Sequence, residues 1–226
     1  MKKYKFILFC LLVFVTTQGV AFQVEPGIVE LLRPKLNSER IEYLFGSYGV
    51  EPLDISSPVF PDNRVSNLHS LHDGLKVMRT LAVVDFIKPL HMDLEGAHAE
   101  IVSGKSIGTV LKNKGWQIKK VPVYFSEISL TPNLMLWMQE SRQDQAALHI
   151  YKLEVSKEDF PEKIHYCTIL EIHSSQYLTS ECLQAFNAYQ YENFKETTDE
   201  IDSLLIRCNQ LLEDFLSPED YAKVYM

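Results

Sequence analysis

Apolar and polar positions in this chain fall into three regimes. Residues 6–15 are an unbroken apolar run, FILFCLLVFV. The middle of the chain favours alternation and β-branched side chains, the mark of half-buried strands. From Ser180 onward apolar residues recur every three or four positions, the period of an amphipathic helix. Residues 36–48 read as a first helix, with Asn37 or Ser38 placed to cap it and Ile41, Leu44, Phe45 and Tyr48 on one face. Gly49 is then expected to close it in the left-handed conformation. Residues 52–61 hold three prolines and Ser56-Ser57, so they read as loop or edge strand. Residues 65–70 and 75–86 flank His72-Asp73-Gly74, and Asp-Gly favours a tight hairpin turn.

Residues 90–102 and 106–114 read as two helices, stopped by Ser103-Gly104 and Gly115. Strands are expected at 116–118 and 121–128. Thr131-Pro132 caps and opens a helix carrying Leu134, Met135, Trp137 and Met138. Residues 147–155 and 164–173 are two further strands, joined by a polar connection at 156–163. Thr197 to Glu200 matches a capping box ahead of the stripe Ile201, Leu204, Leu205, Cys208, Leu211, Leu212 and Phe215. Strands in the middle with helices on both flanks predict an α+β fold, an antiparallel sheet of about five or six strands covered by helices. A C-terminal helical hairpin is expected from Ser180. Its stripe suits either a lid on the protein's own core or a homodimer seam through 197–215.

The opening run changes the picture most. Lys2, Lys3 and Lys5 precede it, and Gly19-Val20-Ala21 supplies small residues before Phe22, the layout of a secretory signal peptide. Ten apolar residues fall short of the roughly 20 that span a bilayer as a helix. The expectation is export to the periplasm or beyond, with no membrane association after cleavage. The organisation read from the sequence is a signal at 1–21, a lead segment at 22–35, the α+β domain at 36–175 and a helical extension at 176–226.

The 226 residues carry 22 basic and 30 acidic side chains. Three of the lysines and none of the acids lie in the first 21 residues, so the remainder has a net charge of −11. That balance, without a basic cluster, argues against nucleic acid as a partner. Cys167, Cys182 and Cys208 permit at most one internal disulfide, and a Cys182–Cys208 bridge is compatible with the pattern without being required by it.

Motifs are few. His165 and Cys167 sit two apart on one strand, on a face shared with Ile169, Glu171 and His173, and with His149 they offer soft donors. No HxxxH or CxxC element supports a metal, so no metal and no cofactor are expected. Gly104-Lys105-Ser106 ends like a phosphate loop, but Ala99 stands where that motif needs its first glycine. Arg64, Arg79 and Glu171 are charges at or within apolar strands, where each needs a partner or a ligand.

The order of several features resembles the chorismate pyruvate-lyase family, whose fold is shared with the ligand-binding domain of many bacterial transcription regulators. The family's opening helix is similar to Ser38-Glu39-Arg40-Ile41-Glu42 with Gly49-Val50 following. Its Arg-led strand, Asp-Gly turn and Arg-Thr strand resemble Arg64-Val65, Asp73-Gly74 and Arg79-Thr80-Leu81-Ala82-Val83. Its Gly-x-x-x-Gly element resembles Gly104 to Gly108, and its final Glu-bearing strand resembles Ile169-Leu170-Glu171-Ile172. Met78 replaces a glycine common in the family, and the prolines after the arginine and glutamate strands are absent. The resemblance implies that Arg64 and Arg79 hold ligand carboxylates, that Glu171 is the acid–base residue and that Ile107 forms apolar wall. Together with the secretory signal, the positions of these residues suggest an exported binding protein for a small carboxylated or aromatic ligand. Two alternatives stand beside it, a cofactor-free lyase acting on an aromatic acid and an envelope interaction protein with no small-molecule site.

Overall fold

The computed structural model describes residues 26–55, 58, 60–140, 145–158, 160–191 and 199–213. Six strands form one sheet: β1 (Gly49–Leu53), β2 (Asn63–His72), β3 (Leu75–Phe86), β4 (Gln117–Ser129), β5 (Gln145–Lys157) and β6 (Phe160–His173). Their order is β1-β2-β3-β6-β5-β4, and every neighbouring pair is antiparallel. The described helices are α1 (Pro26–Leu32), α2 (Asn37–Phe45), α3 (Glu95–Val102), α4 (Ile107–Asn113), α5 (Pro132–Met138), α6 (Ser180–Tyr191) and α7 (Asp199–Leu211), with a 3-10 turn at Met92–Leu94. This is the α+β class with an antiparallel sheet that the alternation implied.

Strand alternation divides the sheet's side chains between two faces. On one face Val65, Leu81, Val83, Leu148, Ile150, Leu170 and Ile172 pack against α5 and α7. On the other, Ala82, Val84, Tyr151, Leu153 and Ile169 look toward α1, α2, α3, α4 and α6. The predicted C-terminal hairpin is therefore corrected. Cys182, Leu183 and Phe186 of α6 join the core of the many-helix face, whereas Ile201, Leu204, Leu205, Cys208 and Leu211 of α7 join the opposite core. Cys182 and Cys208 lie in these separate cores, and all three described cysteines are free, so the bridge between them does not form. The α7 stripe is spent inside the protein. The lead segment is core as well, since Val29 and Leu32 of α1 are buried against α6. The signal region, Thr197 of the capping box and Phe215 of the stripe lie outside the described residues.

Local corrections have local causes. Gly46, with φ 73°, ends α2, whereas Gly49 opens β1 opposite His69. A side chain at Gly49 would meet the His69 ring, which explains the glycine there without any helix cap. The hairpin turns through Asp73 and Gly74, both at positive φ, as a tight turn of matching twist requires. β4 is one long strand across the expected break, with a register shift between Pro122 and Tyr124. β5 and β6 extend through most of the expected polar connection. Pro161 is tolerated because this end of β6 pairs with β5 alone. A second bulge, where β6 skips Tyr166, breaks the alternation assumed for His165 and Cys167. Cys167 stays in the many-helix core, while His165 turns to Thr168, with Nε2 3.2 Å from its Oγ1.

Candidate functional site

On the many-helix face the two apolar clusters do not meet completely, and between them lies a cavity of about 70 Å³. Leu68, Ala82, Val84, Leu153 and Ile169 form apolar strand wall, and Glu171, Tyr151 and Lys120 add polar groups from β6, β5 and β4. Leu36, Asn37 and Ser38 at the start of α2 face Ser106, Ile107 and Gly108 at the start of α4. The half-buried residues Ser38, Tyr48, Arg64, Ser106 and Ile107 mark the mouth, and the buried Ala82, Tyr151 and Glu171 mark the floor. Gly108 suits this closeness, because a Cβ there would stand 2.4 Å from Leu36 Cδ1 and force that side chain to move.

Glu171 is 4% exposed and sits directly between Ala82 of β3 and His149 of β5 in register. Its Oε1 accepts hydrogen bonds from Asn37 Nδ2 at 3.1 Å and from the Tyr151 hydroxyl at 3.0 Å. Asn37 Nδ2 also donates to Thr80 Oγ1 at 3.1 Å, and its Oδ1 accepts from Tyr177 OH. Asn37 is thus a buried bracket on the glutamate rather than a cap on its own helix. Leu36 takes the N-cap position instead, its N–H donating to Glu39 Oε2 at 2.8 Å. Charge-assisted hydrogen bonds of this kind hold a buried carboxylate in place. Burial, with Glu171 beside it, holds the Tyr151 hydroxyl well above its ordinary pKa, so Tyr151 stays a donor.

Arg64 supplies positive charge at the mouth. Its Nη1 donates to the carbonyl oxygens of Ile101 at 2.9 Å and Lys105 at 2.8 Å, and its Nε to Ser66 Oγ at 3.0 Å. These contacts fix the guanidinium without neutralising it, since no carboxylate lies within ion-pair distance among the described residues. Lys120 is a second half-buried cation, with Nζ 4.4 Å from the centre of the Tyr151 ring. Burial brings its pKa down to about 8. Tyr48 stands near the mouth, where burial raises its hydroxyl to about 12. Two cations and one carboxylate leave the cavity with a surplus positive charge beside apolar wall.

Of the residues singled out from sequence, Arg64, Ile107 and Glu171 converge on this cavity. Arg79 does not line it. It stands at the β2–β3 bulge, where the register passes from Thr80 directly to Met78. Its guanidinium stacks 3.7 Å from the centre of the Phe45 ring, and its Nε donates to Ser70 Oγ at 3.0 Å. Burial lowers its pKa to about 10, which leaves it charged at neutral pH. Sequence reasoning missed Asn37, Lys120 and Tyr151 as site residues. Tyr151 and Lys120 lie on strands whose pairing with β6 the sequence does not print, and Asn37 carried a simpler explanation as a cap. A scan against protein-family models matches no family to this chain, and a search of curated proteins finds no relative.

Proposed function

We propose that this is an exported small-molecule-binding protein that holds a small carboxylated or aromatic ligand in a chorismate-lyase-like pocket. The observation that carries the reading is Arg64, a half-buried guanidinium with no described carboxylate partner, converging with Glu171 and Ile107 on one cavity. A guanidinium grips a carboxylate in fork geometry, and apolar walls exclude the water that would screen the contact. The ligand's carboxylate meets Arg64 with Lys120 as a further cation. Its apolar body lies along Ile107 and Ile169, and a hydroxyl or water meets Glu171 and Tyr151. An envelope interaction protein with a filled interior has no use for such a cavity. The lyase alternative shares every one of these groups, so it is separated by turnover and not by geometry.

Isothermal titration with benzoate, 4-hydroxybenzoate and pyruvate tests the proposal. Saturable binding of at least one of these acids is expected, with the matching neutral amide failing to bind. Arg64→Met removes the interaction while far-ultraviolet circular dichroism stays native. Ile107→Trp, which fills the cavity without touching a charge, blocks it equally. Binding unaffected by both variants would sink the assignment. Release of 4-hydroxybenzoate from chorismate by the purified protein would move the reading from binder to lyase.

A further inference from the structure

Behind the cavity floor three metal-ligating side chains meet. His149 and Glu171 are direct cross-strand partners of β5 and β6, and His173 lies two residues further along β6 on the same face. All are buried, at 3%, 4% and 1% exposure, and one donor atom from each lies within 4.8 Å of the others. We propose that His149, Glu171 and His173 form a binding site for one divalent transition-metal ion, of the zinc and cobalt class.

The arrangement of donors carries the proposal. Glu171 uses Oε1 for Asn37 and Tyr151, so its Oε2 remains for a different partner. His173 Nε2 lies 3.7 Å from that oxygen, too far for a hydrogen bond. Nε2 is fully buried and has no hydrogen-bond partner among the described residues. An orphaned buried group of this kind is destabilising, which makes it a ready ligand atom. Zinc lies roughly 2.0–2.2 Å from imidazole nitrogen and carboxylate oxygen, so tetrahedral ligand atoms sit about 3.3–3.5 Å apart. The Glu171–His173 separation reaches that value with a shift of a few tenths of an ångström, and the three-atom set, which spans no more than 4.8 Å, closes on an ion by adjustment of the His149 ring.

The surroundings fit as well. His173 Nδ1 is 3.0 Å from Thr80 Oγ1, the outer hydrogen bond that orients a ligating imidazole. Two imidazoles with one carboxylate select first-row transition metals over magnesium and calcium, and they leave coordination positions open. Glu171 belongs to both sites, so a water or the bound anion can complete the metal's coordination from the cavity side.

The test uses tag-free protein, stripped with a chelator and titrated with Co²⁺ and then Zn²⁺. One equivalent of cobalt should bind with visible ligand-field absorption, and zinc should displace it. His173→Ala should abolish that absorption. Thr80→Val, which keeps the shape but removes the orienting hydroxyl, should weaken uptake about tenfold. Arg64→Met should leave uptake unchanged, which separates this site from the anion clamp. Absence of stoichiometric uptake by the native protein overturns the proposal, and so does equal uptake by native and His173→Ala protein. If His173→Ala fails to fold, the native stoichiometry and the Thr80→Val shift still decide the matter.

Discussion

The two faces of the sheet are built from alternate residues of the same strands, yet they do different work. Toward α5 and α7, β6 presents Leu170 and Ile172, each fully buried in an apolar core. Toward the other helices the same strand presents Ile169, Glu171 and His173. The first face is predominantly apolar and packed like an ordinary domain interior, with the buried Asn67 donating to the Trp137 carbonyl oxygen of α5. The second carries Asn37, Thr80, His149, Glu171 and His173 in one buried polar group, next to a cavity and two cations. The difference teaches where stability and function separate. The α7 face can supply the hydrophobic stabilisation, which leaves the opposite face free to keep polar groups that a pure core would exclude.

The largest expected effect breaks the predominantly apolar face. Leu205→Asp places a charge at a fully buried position of α7 and should unfold the protein rather than release a folded monomer. Leu205→Ala should cost about 2–5 kcal/mol in chemical denaturation through the cavity it leaves. Neither change touches the cavity on the far side, so any ligand affinity retained by folded Leu205→Ala protein should be native.

On the polar face the order of effects reverses. Arg64→Met should lower affinity for a carboxylate by about 1.5–3 kcal/mol, roughly ten- to a hundredfold, as expected for a lost hydrogen bond to a charge. Titration calorimetry reads that loss directly.

Lys120 sharpens the contrast through pH. Its pKa is about 8 because of burial, against an ordinary 10.5. It is surrounded by Glu171 on β6, Tyr151 on β5, and Glu39 and Arg40 on α2. Carboxylate affinity should therefore fall as pH rises through about 8, where Lys120 loses its charge. Its contribution to folding runs the other way. Between about 8 and 10.5 the unfolded chain holds a proton that the folded protein has released, so this group's contribution to stability rises with pH across that window. Affinity and melting temperature measured together should diverge there.

The smallest effect belongs to Arg79. Arg79→Lys should lower stability by about 1 kcal/mol, through a weaker contact with the Phe45 ring, and should leave carboxylate affinity unchanged.

Much of this architecture was legible in the sequence, and the failures share a cause. Alternation and the Asp-Gly pair located β2, β3, β5 and β6, and the order of Arg64, the Gly104–Gly108 element and Glu171 pointed to residues that do meet. Features set by pairing across the sheet were hidden. His149 and Glu171 lie 22 positions apart in the sequence and become neighbours only through the β5–β6 register, so no local motif announces them. The Tyr166 bulge flips His165 away from Cys167, and the bulge at Arg79, between Met78 and Thr80, gives that residue its place on Phe45. Such one-residue slips reverse a side chain's face and leave no mark on composition. The helical period of α6 and α7 was visible, but not that they lie on opposite faces.

The most direct test of the central claim is a crystal structure of the protein grown with 4-hydroxybenzoate. The account predicts the ring in the cavity beside Ile107 and Ile169, its carboxylate on Arg64 and its hydroxyl toward Glu171 and Tyr151. An empty or water-filled cavity at saturating acid, with Arg64 bound only to the carbonyl oxygens of Ile101 and Lys105, would contradict it.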